Sequence, residues 1–241
     1  MENNNIIKSF FSKNSLNSEV WETEDKLNPE VRDKLLEIAT EFIDFISVPI
    51  VVEDVIFTGS LANYNWSEYS DIDLHVVCDF SQFSEELLEL YQELFKVKKT
   101  IFNSDYNIKI FGYDVELYVQ NASEAHFSTG VYSVLNDEWI EKPAKENKKI
   151  DTSILKSKIE QWMSKIDTVI NNAKGEDIEE AKEFVKNLKD KIKTFRSSGL
   201  KSGGEYSYEN LTFKYLRRNG YLDKLFEFEK SLTDKELSLD E

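Results

Sequence analysis

Residues 57–79 read FTGSLANYNWSEYSDIDLHVVCD. An apolar run ends just before Gly59-Ser60, a polar and aromatic loop follows, and a second apolar run then carries Asp71 and Asp73. In an extended segment residues two apart share a face, so the two aspartates project together while Ile72 and Leu74 pack behind. Two carboxylates on one face repel, and each resists losing its water unless a cation stands opposite. The whole chain has two histidines, His75 and His126, and one cysteine, Cys78. A cation held by oxygen, Mg2+ or Mn2+, is therefore the economical partner, and a cysteine-rich zinc site or a disulfide framework is excluded.

Working outward, PIVVEDVIF (49–57) opens on a proline, is rich in β-branched residues and reads as a strand, as does 72–77. Before them, Asn28-Pro29 is a capping residue and a first-turn proline, and Val31, Leu35, Ile38, Phe42 and Ile46 recur at helical spacing. After them, 82–100 is helical through Leu87, Leu90, Leu94 and Val97, and 106–111 with 114–119 form a hairpin turning at Gly112-Tyr113. A short strand is expected at 130–135 and a loop at 136–143. Helices follow over 152–173, 177–196 and 208–218, punctuated by Gly175 and by SSGLKSGG (197–204).

The expected class is α/β (α+β): a mixed sheet with flanking helices, then a helical lobe. Residues 1–27 read as a loosely packed arm, 28–145 as the sheet lobe and 146–241 as the helical lobe.

The second hairpin strand, YDVELYVQ (113–120), places Asp114 and Glu116 on one face and Val115 and Leu117 on the other. Either acid can be a third carboxylate; Glu116, flanked by apolar residues, is the favoured one, since Asp114 can equally cap the turn. Three converging carboxylates suit two divalent ions that clamp a phosphoryl displacement. Gly59 permits close backbone approach to a ligand, and Ser60 with Leu61-Ala62 can open a helix whose amides face an anion.

The order strand, Gly-Ser, helix, loop, strand with two acids, later strand with a third resembles the nucleotidyltransferases of the DNA polymerase beta superfamily, in particular small prokaryotic or phage members. The resemblance rests on Gly59, Ser60, Asp71, Asp73 and Glu116. It implies transfer of an NMP from an NTP, ATP foremost, to an acceptor hydroxyl with release of pyrophosphate. Asp71, Asp73 and Glu116 would bind the metals, and Glu116 would also serve as base. Many relatives carry Arg and Gly soon after Gly-Ser; here Asn63-Tyr64 stand there, and the loop up to Asp71 has no basic residue. In NLTFKYLRRNGYL (210–222), Lys214, Arg217 and Arg218 cluster at helical spacing and are the expected substitutes at the triphosphate.

Other residues carry weaker signals. His75 reads as a core histidine, Trp66 and Tyr69 as loop aromatics able to stack on a base, and Lys109 as a surface lysine in reach of phosphates.

A formal charge of −16 argues against broad nucleic-acid binding. Residues 141–201 are the exception, with 15 Lys and Arg against 11 Asp and Glu. No apolar run is long enough to span a membrane and the start lacks a leader pattern, so a cytoplasmic protein is expected. The acceptor stays open among a protein side chain, an RNA end, a small molecule and a second nucleotide. The competing expectation is a non-catalytic nucleotide-binding or antitoxin-like module on the same fold.

Overall fold

The computed structural model describes residues 2–126, 128–145 and 148–239. The chain divides into two compact units, Ser12–Asn147 and Met1–Phe11 with Lys148–Glu241.

The first unit is an α+β layer. Helix α2 (Pro29–Ile46) starts where Asn28 accepts a hydrogen bond from the Glu30 amide and Pro29 fills the first turn. It ends at Ser47 in the left-handed conformation, φ 56°. Strands β1 (Val52–Thr58) and β2 (Ile72–Cys78) run antiparallel; helix α3 (Glu85–Asp105) then crosses over so that β4 (Tyr113–Asn121) lies parallel to β2. With β3 (Lys109–Ile110), β5 (Val131–Ser133) and β6 (Glu138–Glu141) the sheet order is β3-β4-β2-β1-β5-β6.

Alternation sets the two faces. Val55, Phe57, Ile72, Leu74, Val76, Val115 and Leu117 join Leu35, Phe42 and Ile46 of α2 and Phe95 and Phe102 of α3 in one core. The opposite face carries Thr58, Asp73, His75, Glu116, Tyr118 and Gln120. An Asn103 side chain closes the joint between α3 and β4, its amide nitrogen donating to the Leu117 carbonyl and its oxygen accepting from the Leu117 amide, both at 3.0 Å. These two bonds satisfy backbone groups that β4 would leave open beyond the reach of the two-residue β3.

The second unit is helical: α1 (Glu2–Lys8), α4 (Thr152–Ala173), α5 (Ile178–Gly203), α6 (Tyr208–Arg218) and α7 (Tyr221–Leu237). Asp151, Asp177 and Ser207 cap α4, α5 and α6 with their side chains. Trp162, Ile166, Val185, Ile192, Leu216 and Leu225 form its core.

Several expectations are corrected. Residues 1–27 are not a loose arm: Ile6, Ile7 and Phe10 are buried in the helical unit, while Leu16, Val20, Trp21 and Leu27 are buried in the sheet unit. The cause is the apolar content of this segment; Trp21 stacks on Phe57 and on Trp139, with centroids 5.8 and 4.5 Å apart. Helix α3 continues past residue 100 to Asp105, because Phe102 packs on Phe42 and Phe45, and β3 shrinks to two residues. The expected loop at 136–143 contains β6, which pairs with β5 through Tyr132 and Trp139. SSGLKSGG does not end α5 at 197; the helix runs to Gly203, and a further helix, α7, follows. Gly199 explains the continuation, since a Cβ there would meet the Glu209 Cβ of α6 at 2.4 Å. Among the described residues no helix is long and apolar enough to cross a membrane.

Candidate active site

The site begins at the end of β1. Thr58 is the register partner of Asp73 on β2, and Asp73 is the register partner of Glu116 on β4. The parallel pairing thus puts Asp73 and Glu116 side by side, and Asp71, two residues before Asp73 at the mouth of β2, belongs to the same face. Of the two acids of β4, Glu116 is the one in register with Asp73. Asp114 is exposed and ion-paired to Lys109, its partner across the β3–β4 turn, which also removes Lys109 from the candidates.

Gly59 abuts this row. Its φ is 83°, and a Cβ added there would stand 2.0 Å from Oδ2 of Asp73. Glycine is therefore demanded twice, once by the backbone and once by the carboxylate. Ser60 holds the loop closed: its hydroxyl donates to the Ser70 hydroxyl at 2.7 Å, and Ser70 in turn accepts from the Ser67 amide at 3.0 Å. The bond ties the Gly-Ser turn to the residue just before Asp71.

Ser60 does not open a helix, contrary to expectation; residues 61–65 form turns. The Asn63 side chain accepts from the Tyr64 amide at 2.7 Å, a local bond that competes with helix formation. Trp66 is committed elsewhere, its indole donating to the Ser15 carbonyl at 2.9 Å with Lys13 over its ring. Tyr69 in the same loop is half-buried.

Two residues that the sequence reading passed over complete the acidic row. Tyr118, on the same face of β4, donates its hydroxyl to Oε2 of Glu116 at 2.5 Å. Burial, the bond to Glu116, and the charges of Asp73, Glu116 and Asp71 all push the phenol well above its ordinary range, so the hydroxyl is a fixed donor. Lys99 of α3 lies 3.7 Å from the centre of the Tyr118 ring. Burial pulls its ammonium down, while the charges of Glu116 and Asp73 act the other way. Lys99 is a basic side chain close enough to feel the charges of Glu116 and Asp73. The sequence carries no local signal for it: the link to Asn103, one turn along α3, appears only once the helix docks on β4.

Further along the same face, His75 lies opposite Tyr118 in the register, the two rings 4.7 Å apart and tilted by 30°. His75 Nδ1 is 2.7 Å from Oε1 of Gln120, and Nε2 of Gln120 is 3.3 Å from Nδ1 of His126. Burial lowers His75 to about 4, so the ring is neutral at ordinary pH.

Lys214, Arg217 and Arg218 do come together on α6, joined by Arg196 of α5, which the sequence did not single out. Burial lowers Lys214, the charges of Arg218, Arg217 and Arg196 push the same way, and Glu205 opposes them. Arg218 donates to the Ser9 hydroxyl at 2.7 Å and stands over the Phe10 ring. This cluster belongs to the helical unit.

Asp71, Asp73 and Glu116 offer hard oxygen donors on a single face, the donor set that Mg2+ or Mn2+ prefers. Among the described residues, however, no group of three or more acidic, histidine or cysteine side chains is drawn in to metal-coordinating spacing. Glu116 accepts the Tyr118 hydroxyl at Oε2, which fixes the orientation of this carboxylate. The donor chemistry fits a divalent ion, and closing the set requires side-chain rotation. Comparison with protein-family models, with curated proteins and with solved structures finds no match for this chain.

Proposed function

We propose that this protein is a metal-dependent nucleotidyltransferase that moves an NMP from an NTP to an acceptor hydroxyl and releases pyrophosphate. One observation carries the reading: Asp73 and Glu116 are register partners on adjacent parallel strands, with Gly59 against the Asp73 carboxylate. A scaffold has no use for such a row of acids, because like charges side by side destabilise it.

In the proposed reaction the acceptor oxygen attacks the α-phosphorus, the bond from that phosphorus to the β-phosphate bridging oxygen breaks, and the acceptor proton passes to Glu116. Asp71, Asp73 and Glu116 would hold the divalent ion, whose contribution when bound is to neutralise phosphate charge. Gly59 makes room for the Asp73 carboxylate, and Ser60 keeps the turn in place through Ser70. Lys214, Arg217 and Arg218 belong to the helical unit, and their expected role at the triphosphate stands or falls with one measurement: alanine at all three should raise the KM for NTP, and an unchanged KM removes them from the site.

The test is incubation with each NTP labelled in its α-phosphate, with magnesium and a cell lysate supplying acceptors. Label should pass to a discrete species, and Asp73→Asn should abolish transfer while keeping the wild-type circular dichroism spectrum. Wild-type transfer by Asp73→Asn refutes the assignment. No transfer from any NTP, together with tight binding to a partner protein, would instead point to a non-catalytic module.

A further inference from the structure

Beyond the acidic row the same sheet face continues into a pocket of about 280 Å3. Its floor is Thr58, His75, Tyr118 and Gln120, and Glu124 and His126, which follow β4, contribute to its wall. Both histidines of the chain meet here. Among the described residues of the lining Glu124 is the one charged side chain, and it is acidic. Lys99 stands over the Tyr118 ring and its charge reaches His75, but the described lining itself is neutral apart from Glu124 and rich in hydrogen-bonding groups, which favours a neutral, hydrogen-bonding occupant.

The relay across Gln120 fixes what the pocket presents. With the amide oxygen accepting, Nδ1 of His75 carries the proton and its Nε2 is left as an acceptor. With the amide nitrogen donating, Nδ1 of His126 accepts, so in the neutral ring Nε2 carries the proton and is a donor. One buried glutamine thus sets two imidazoles to opposite roles, an acceptor and a donor. Tyr118 and His75 add flat aromatic surface. A planar heterocycle with a donor and an acceptor on its edge suits such a lining, through stacking and paired hydrogen bonds.

We propose that this pocket is a nucleobase site. The proposal deepens the nucleotidyltransferase reading, since Thr58 and Tyr118 each adjoin the acidic row: Thr58 pairs with Asp73, and Tyr118 bonds to Glu116. The base has two possible sources, the NTP itself or a nucleoside acceptor, and the pocket chemistry is common to both.

The test follows the two histidine side chains of the full chain by NMR while adenosine, guanosine, cytidine and uridine are added separately, without divalent metal. Having only two imidazoles makes each resonance assignable by one substitution. At least one nucleoside should shift both histidines saturably, while ribose shifts neither. Gln120→Leu should weaken that binding at least tenfold. His126→Ala, on the exposed wall, should do so without risk to the fold. Adding NTP with magnesium then separates the sources: displacement of the nucleoside assigns the pocket to the NTP base, and simultaneous binding assigns it to the acceptor. Absence of any nucleoside-dependent shift up to the solubility limit, or an equal shift with ribose, overturns the proposal. Such a failure with label transfer intact would leave the nucleotidyltransferase reading standing; loss of transfer with nucleoside binding intact would do the reverse.

Discussion

Replacing Gly59 by alanine separates backbone strain from a steric demand of the site. A left-handed φ costs a non-glycine residue about 1–2 kcal/mol. In addition, the new methyl group would lie 2.0 Å from Oδ2 of Asp73, a separation no pair of atoms tolerates. The obstructing atom is the end of a side chain, so the collision is relieved by swinging the Asp73 carboxylate out of line. Strain therefore falls on stability and displacement falls on function. Gly112 supplies the control: its φ is 86°, yet nothing lies within 4 Å of a Cβ there. Urea denaturation should show both Gly59→Ala and Gly112→Ala losing about 1–2 kcal/mol. Only Gly59→Ala should impair transfer, by about 100-fold, the loss that a misplacement of roughly 1 Å causes at a reacting centre. Equal transfer by the two variants would refute the claim that Gly59 exists to make room for Asp73. A stability loss for Gly59→Ala more than about 3 kcal/mol beyond that of Gly112→Ala, outside the usual range for single substitutions, would show that the carboxylate cannot yield and the backbone moves instead.

Other consequences are open to measurement. Because burial lowers His75 to about 4 in the folded protein, the unfolded chain takes up its proton first as pH falls below 6.5. Stability is full above that pH and declines towards pH 4 by on the order of 3 kcal/mol. In His75→Gln that part of the pH dependence, read from urea midpoints, should vanish, and an unchanged profile would contradict the burial argument. Asn103→Ala strips both Leu117 backbone groups of their partners and should cost about 1–3 kcal/mol in the same assay; an unmoved midpoint would mean the joint between α3 and β4 does not depend on it. Tyr118→Phe removes the hydroxyl that holds Oε2 of Glu116 and should weaken Mn2+ binding, followed by electron paramagnetic resonance, without unfolding the protein. Identical affinity would show that Tyr118 does not orient this carboxylate.

Those elements whose two faces differ were legible in the residue order. Strands β2 and β4 alternate over their first residues because one face is core and the other bears the polar row, β1 is marked by its β-branched residues, and α2 announces itself through Asn28-Pro29 and its apolar spacing. Elements defined by a distant partner were not. EWIE at 138–141 has too few apolar residues to alternate and becomes a strand through its pairing with β5. The glycines of 197–204 read as a break, yet Gly199 sits inside a helix because α6 presses against it, and that information resides ten residues later in Glu209. The apolar residues of 1–27 sort between two units, which local composition cannot express.

The acidic row divides along the same line. Parity and flanking residues pointed to Asp71, Asp73 and Glu116 sharing a face, and the parallel register supplies the neighbour relation of the last two. The expected partner of the acids is a divalent ion, while a basic residue for the triphosphate is sought between Ser60 and Asp71, where there is none, and then in 210–222. One close to the acids comes from the middle of α3, a helix rich in both charges, where Lys99 has no local feature to mark it. Its place is set by Asn103 one turn on, whose amide fastens the helix to the edge of β4 and so brings residue 99 beside Tyr118. Electrostatics constrains the sum of charges within a volume and is indifferent to which part of the chain delivers them. The need for a counter-charge could thus be deduced from two aspartates in one strand, whereas the place of Lys99 depended on how a helix is pinned to that sheet.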